Sequence, residues 1–298
     1  MNIEIHHRTS YHYAEAVSFG RHHLMMRPRE SHGVRLKESS FEISPGFVLR
    51  WMRDLYENNI GLVEFAEEST ELVIESKLIL EMVDENPFDF TLESEAAQYP
   101  FFYEHELALE LLPLSRNIYV RDVEQISSWL GDCWAPGKTV GTLELLQEMN
   151  SKLYRTLNYQ RRESRGVQSP AETLQSMSGS CRDFATFLIE ACRSLGMAAR
   201  FVSGYLYNQG ISGRMSMHGW MEVYLPGAGW IGFDPSWGVL ADSHYIPVAV
   251  ARHSEHAPPI SGSYFGTPRA FLKSQVDLYV TCASEHSSTT SQEEARTI

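Results

Sequence analysis

Gly179-Ser180-Cys181-Arg182-Asp183-Phe184-Ala185 is the stretch on which the reading of this chain turns. From Phe184 onward, Phe187, Leu188, Ala191 and Leu195 recur at helical spacing, and Gly196 closes the run. That spacing predicts an amphipathic helix that opens at Cys181. A thiol at a helix start feels the positive end of the helix dipole, which favours the thiolate and so a better nucleophile. The first backbone N–H groups of a helix lack internal partners, so they can donate to an oxyanion formed on an attacked carbonyl. Gly179 and Ser180 are small and leave a substrate room to approach.

Working outward, strands follow the helix at Phe201 to Tyr207, His218 to Leu225 and Trp230 to Asp234. The last two are joined by Pro226-Gly227-Ala228-Gly229, a turn signal. A cysteine nucleophile needs a base or ion-pair partner, and His218 begins one of these strands. Asp234 ends the next, where a carboxylate can fix the far nitrogen of an imidazole. Side chains alternate across a sheet, so register decides whether the two share a face. A four-residue loop would place them on opposite faces. An odd loop or a bulge, such as one pairing Tyr224 with Trp230, puts His218, Trp220 and Asp234 together, and this register is the one expected.

Singly, each residue has an ordinary structural role: a buried small thiol, a strand histidine, turn chemistry before Pro235. In the order Cys, His, Asp, each at the edge of an element, they point to thiol-dependent acyl chemistry.

The helices upstream carry clear signals. Val123 to Leu130 is a short candidate, and Leu143 to Leu157 places Leu146, Met149, Leu153 and Leu157 on one face. Ser169-Pro170-Ala171-Glu172 reads as a capping box with proline at the first helical position.

Residues 1–112 read as β-rich. Leu72, Ile74, Leu78, Leu80 and Met82 share one parity, the mark of a half-buried strand. Ile60 to Ala66 is another, and Glu67-Glu68-Ser69 is expected to join the two as a hairpin. Ile3, Ile5, His7, Tyr11 and Tyr13 suggest a strand at the start. The boundary falls near Pro113. Residues 113–283 form the second region, including a strand from Phe271 to Thr281, and a polar tail from about Ser284 is expected to be disordered.

Gly179 to Ala185 resembles the nucleophile motif of bacterial transglutaminase-like proteins. Ala199-Arg200-Phe201-Val202-Ser203-Gly204-Tyr205-Leu206 is similar to the strand that follows it in that family. His218-Gly219-Trp220 with Glu222-Val223-Tyr224, then Gly229-Trp230 and Phe233-Asp234-Pro235, resembles the remaining triad segment. Tyr11-His12-Tyr13, Arg27-Pro28-Arg29 and the Asp54 to Asn58 segment carry a weaker similarity to the family's N-terminal domain. The resemblance implies an α+β fold: a papain-like core behind a β-rich, sandwich-like N-terminal domain. It implies a catalytic triad of Cys181, His218 and Asp234, and acyl chemistry on amides through a thioester. Met217 departs from the acidic or polar residue frequent before the histidine in the family. Related enzymes place an aromatic residue near the oxyanion, which makes Tyr159 a candidate beside the alternative of a core tyrosine.

Among other signals, the net charge of −13 repels phosphate backbones and argues against nucleic acid as a partner. Arg27, Arg29 and Arg35 form no basic run. No secretory signal and no membrane span are visible, so a soluble cytoplasmic protein is expected. Cys181 and Cys192 lie roughly 16 Å apart along one helix, too far for a disulfide, and free thiols suit a reducing compartment. Six of 12 histidines fall in the first 32 residues: His6, His7, His12, His22, His23 and His32. They lack acidic or cysteine partners at ligand spacing, so neither a metal nor another cofactor is called for. Trp220, Trp230 and Trp237 flank the triad segments and can line a groove or pack a core.

The reaction expected is cleavage of a peptide or amide bond, in a peptide or protein substrate. Transamidation is the alternative within the same chemistry. A non-catalytic binding module on the same fold is the alternative outside it.

Overall fold

The computed structural model describes residues 1–83, 86–162, 166–207, 217–267 and 269–282. The first region holds strands β1 (Asn2–Phe19), β2 (His22–Leu24), β3 (Val34–Ser44), β4 (Phe47–Arg53), β5 (Asn59–Phe65) and β6 (Ser69–Met82). Helices α1 (His105–Leu111), α2 (Val123–Leu130), α3 (Thr142–Thr156), α4 (Pro170–Ser176) and α5 (Cys181–Ser194) come next. Strands β7 (Ala199–Leu206), β8 (His218–Leu225), β9 (Gly229–Asp234), β10 (Val239–Leu240) and β11 (Tyr245–Ala251) follow. The last described elements are β12 (Ile260–Ser261), β13 (Tyr264–Phe265) and β14 (Phe271–Cys282).

The first region is a two-sheet sandwich. One sheet runs β1-β6-β3 with β13 and β14 both on the outer side of β1, and the other runs β12-β2-β5-β4. The alternation read in β6 is realised: Leu72, Ile74, Leu78, Leu80 and Met82 are all buried. Tyr13, Val17, Leu24, Val63, Leu72 and Ile74 form the layer between the sheets. The expected hairpin between β5 and β6 does not form. β5 lies between β2 and β4, whereas β6 lies between β1 and β3. Period-two burial identifies which face of a strand is inward, not which strand it pairs with. Here Glu67-Glu68-Ser69 carries the chain from one layer to the other.

Phe271–Cys282 is a strand, but it pairs antiparallel with β1, from Ile3 opposite Cys282 to Tyr13 opposite Phe271. The sequence reading grouped it with the second region. The fold builds the first region from both ends of the chain. The tail expected from about residue 284 lies outside the described residues.

The second region packs helices on a five-stranded antiparallel sheet ordered β10-β9-β8-β7-β11. Phe184, Phe187, Leu188 and Ala191 of α5 are buried against Phe201, Met221 and Val223 of the sheet, with Met149 and Leu153 of α3 in the same core. α5 lies where its periodicity puts it, and α2 spans the short candidate Val123–Leu130. Ile3, Ile5, Leu78 and Leu80 belong to that core too, so the sandwich and the helical region share one apolar interior.

Polar latches fix the junction. Asn58, buried, donates to the carbonyl of Val250 at 2.7 Å and accepts from its N–H at 2.9 Å. Its amide thus closes a strand-like pair with the edge of β11. Arg29 donates to Asn58 at 2.9 Å and to the carbonyl of Tyr56 at 2.7 Å. The N-terminal motif residues therefore dock one region on the other. His7, buried on β1, hydrogen-bonds the Tyr205 hydroxyl of β7 at 3.2 Å.

Candidate active site

The start of α5 is held from beneath. The Asp183 carboxylate, fully buried, accepts from the N–H and the hydroxyl of Ser180 at 2.8 and 2.7 Å. Arg162 donates to both its oxygens, at 2.7 and 2.8 Å, and the N–H of Gln168 adds a further bond at 2.8 Å. A carboxylate in the first turn stabilises the helix. Its pairing with Arg162 neutralises a negative charge that would otherwise oppose a thiolate two residues away. Gly179 must be glycine because a Cβ there would sit 2.9 Å from the Asp183 Cβ and 3.0 Å from the Phe184 ring. The nucleophile candidate is thereby set on a rigid corner between a short parallel strand pair, Asn158–Tyr159 with Ser178–Gly179, and α5.

The β8–β9 hairpin has the expected odd register. Tyr224 pairs with Trp230 and Leu225 with Gly229, so the turn spans residues 226–228. This register puts His218, Trp220 and Asp234 on one face. His218 Nε2 donates to Asp234 Oδ2 at 2.6 Å. Trp220 lies below, its ring 6.3 Å from the imidazole and tilted by 23°. With Nε2 held by the carboxylate, Nδ1 is the nitrogen left to serve Cys181.

Asp234 is fully buried, and both its oxygens are used. Oδ2 also accepts the Tyr245 hydroxyl at 2.8 Å, and Oδ1 accepts the N–H of Ser236 at 2.8 Å together with its hydroxyl. Burial opposes its charge, but the bonds from His218, Ser236 and Tyr245 outweigh it and hold the carboxyl below its usual range. Burial likewise opposes the imidazolium. The hydrogen bonds to Asp234 and Cys181, with their charges, outweigh it and raise the His218 pKa to about 10. Cys181 and the imidazole line the same cleft.

Tyr159 is no core tyrosine: it is 52% exposed. Its backbone pairs with Gly179, two residues before Cys181, and partial burial of the hydroxyl, then the neighbouring thiol, push its pKa up to about 12. Cys181, His218 and Tyr159 line one cleft of about 820 Å³. Trp220 is buried beneath the site, whereas Trp230 packs under the guanidinium of Arg200 at 4.0 Å and Trp237 is exposed. Neither of these last two lines the cleft. Among the described residues, no group of three His, Cys, Asp or Glu side chains is arranged to hold a metal. Most of the Gly/Ser-rich segment from Tyr207 to Met217 lies outside the described residues.

Sequence reasoning missed Tyr245, Ser236 and the Arg162–Asp183 pair. Two of these had signals. Ser236 sits two residues after Asp234, the Asx-turn spacing, and Asp183 sits three after Ser180, the capping-box spacing. Tyr245 reaches Asp234 through tertiary packing and had none.

Residues 3–81 match the family model of the bacterial transglutaminase-like N-terminal region, and residues 135–235 match that of the transglutaminase-like superfamily. An uncharacterised protein of Mycobacterium tuberculosis is 28% identical over 294 residues, covering 91% of this chain and 90% of its own. An uncharacterised protein of Mycobacterium leprae is 33% identical over 109 residues, 34% of this chain and 38% of its own. A solved structure from Cytophaga hutchinsonii, described provisionally as a cysteine protease, superposes with a TM-score of 0.71 at 16% identity. It covers 95% of this chain and 92% of that one, and so shares the fold across both regions.

Proposed function

From a chain whose residues 135–235 belong to the transglutaminase-like superfamily, behind a bacterial transglutaminase-like N-terminal region, we propose a thiol-dependent amide or peptide hydrolase. The observation that carries this reading is the His218–Asp234 pair at 2.6 Å beside a cysteine that opens a helix. A binding module has no chemical need for that set.

In the proposed mechanism the Cys181 proton passes to Nδ1 of His218, and the sulfur attacks the amide carbonyl. The oxyanion is met by the N–H of Cys181 and the Tyr159 hydroxyl. The imidazolium gives its proton to the leaving amine, which departs as the thioester forms. Asp234, held by Tyr245 and Ser236, keeps the imidazole oriented and stabilises its positive form. Water, activated by His218, then attacks the thioester, the carboxylic acid leaves and the thiol is restored. Hydrolysis is favoured because water needs no second binding site. We place the protein in a reducing compartment such as the cytoplasm, since all four of its cysteines are free thiols.

The test is a mass-spectrometric screen of peptides and glutamine-containing peptides, with and without a primary amine, against wild type and Cys181→Ala. Cys181-dependent gain of water supports hydrolysis. Amine incorporation shows transamidation instead, and no Cys181-dependent change overturns the enzyme reading.

A further inference from the structure

The cleft that holds Cys181 has a mixed lining. Arg161, Arg162, Arg182, Glu255 and His218 contribute charged or titratable groups. The first region contributes aromatic rings: Tyr11 and Tyr13 of β1, and Tyr264 and Phe271 of the returning C-terminal strands. Tyr13 is central, its ring 5.0 Å from Tyr264 and 6.1 Å from Phe271. Burial, then the neighbouring hydroxyls of Tyr11 and Tyr264, push its phenol up to about 12, so this surface carries no charge near neutral pH. His22 beside it is neutral as well. Its Nδ1 donates to the Gly20 carbonyl at 2.8 Å, and burial holds the ring below its ordinary pKa.

Phe271 remains 43% exposed. Open aromatic surface in a cleft shared with a nucleophile is surface for a ligand to cover. The wall is also fixed relative to the sulfur, because β1 carries His7, which is bonded to Tyr205 of the catalytic sheet.

We infer that this aromatic wall is the specificity subsite of the cleft. It takes an apolar or aromatic side chain of an extended peptide whose amide is presented to Cys181. The inference rests on the reading of Cys181 as nucleophile. A cleft of about 820 Å³ is larger than a lone amide fills and holds several residues of peptide. Aromatic faces gain most from apolar and aromatic partners, which sets the kind of side chain expected there.

The test compares two alkylating agents at one sulfur in the full-length protein. Iodoacetamide and N-(2-phenylethyl)iodoacetamide share a leaving group and differ in an aromatic tail. Their rate constants at Cys181 are read by peptide mass spectrometry, with exposed Cys282 as the internal reference. The wall predicts a preference for the aromatic reagent at Cys181 about 10-fold above that at Cys282. It predicts a return to near parity in Tyr264→Ser/Phe271→Ser. Any change in the reactivity of the sulfur itself cancels in the ratio. Phe271→Ser alone, at a half-exposed side chain that leaves the Tyr13–Tyr264 contact intact, must lower the ratio too. A wild-type preference no greater than at Cys282, or a ratio unmoved by Phe271→Ser, overturns the inference. Failure of plain iodoacetamide to single out Cys181 would sink the nucleophile reading instead, and the ratio would still report on the wall.

Discussion

His218 and Asp234 meet at 2.6 Å because Tyr224, six residues after the first, pairs with Trp230, four residues before the second. A shift of one residue in that hairpin would send the carboxylate to the opposite face. The acid–base pair is thus a consequence of one turn. Asp234→Asn keeps the shape and removes the charge that sustains the imidazolium. We expect a fall in turnover of about 100-fold or more, read as kcat/KM on a substrate from the screen.

The same pair sets a pH dependence. The His218 pKa is raised from 6.5 to about 10 in the folded protein. A raised folded value means that its stabilisation is complete below the unfolded pKa and disappears as pH climbs through the folded one. The Tm gap between wild type and His218→Gln should therefore be widest near pH 6 and close as pH approaches 10. A gap that grows toward alkaline pH would contradict the assignment. Asp234 acts at the other end: its depressed pKa contributes stability above the unfolded value, lost as pH falls through the folded one.

Asp183 has no part in the chemistry but anchors it. Asp183→Ala removes the carboxylate that accepts from Arg162, from two groups of Ser180 and from the N–H of Gln168. Breaking such a pair costs about 3 kcal/mol, with Arg162 still partly open to solvent. Urea unfolding should show a lower midpoint, and Cys181 alkylation should slow because its corner is no longer held.

Gly179→Ala should destabilise by about 1–3 kcal/mol, since its Cβ would press on Asp183 at 2.9 Å and on the Phe184 ring at 3.0 Å. Thermal denaturation checks this, with Gly196→Ala as a contrast. There a Cβ meets nothing, and the cost comes from the positive φ of 82° alone.

At the junction, Asn58→Ala leaves the N–H and carbonyl of Val250 without their side-chain partner. The expected cost is about 1–3 kcal/mol. Faster limited proteolysis between the sandwich and the helical region is the measurement.

Much of this architecture was legible because it is local. The helix at Cys181 and the face of β6 follow from periodicity, and the hairpin register follows from parity once His218 and Asp234 are required to meet. What was not legible is long-range. Nothing in Glu67-Glu68-Ser69 says whether the strands on either side pair or part, and nothing in Phe271–Cys282 says that it returns to β1. Tyr245 reaches Asp234 only because β9 and β11 occupy one sheet, and Arg162 meets Asp183 across a sequence separation of 21 residues that no local spacing signals. Capping and Asx-turn spacings did point at Asp183 and Ser236, since those contacts lie within three residues.

The most direct test of the central claim, that His218 activates Cys181, is the rate of carboxamidomethylation at pH 6, read by peptide mass spectrometry in wild type and His218→Ala. The account predicts that Cys181 reacts about 100-fold faster than exposed Cys282 and loses that lead in the variant. Equal rates at the two cysteines, or a Cys181 rate unaffected by loss of the imidazole, would contradict it.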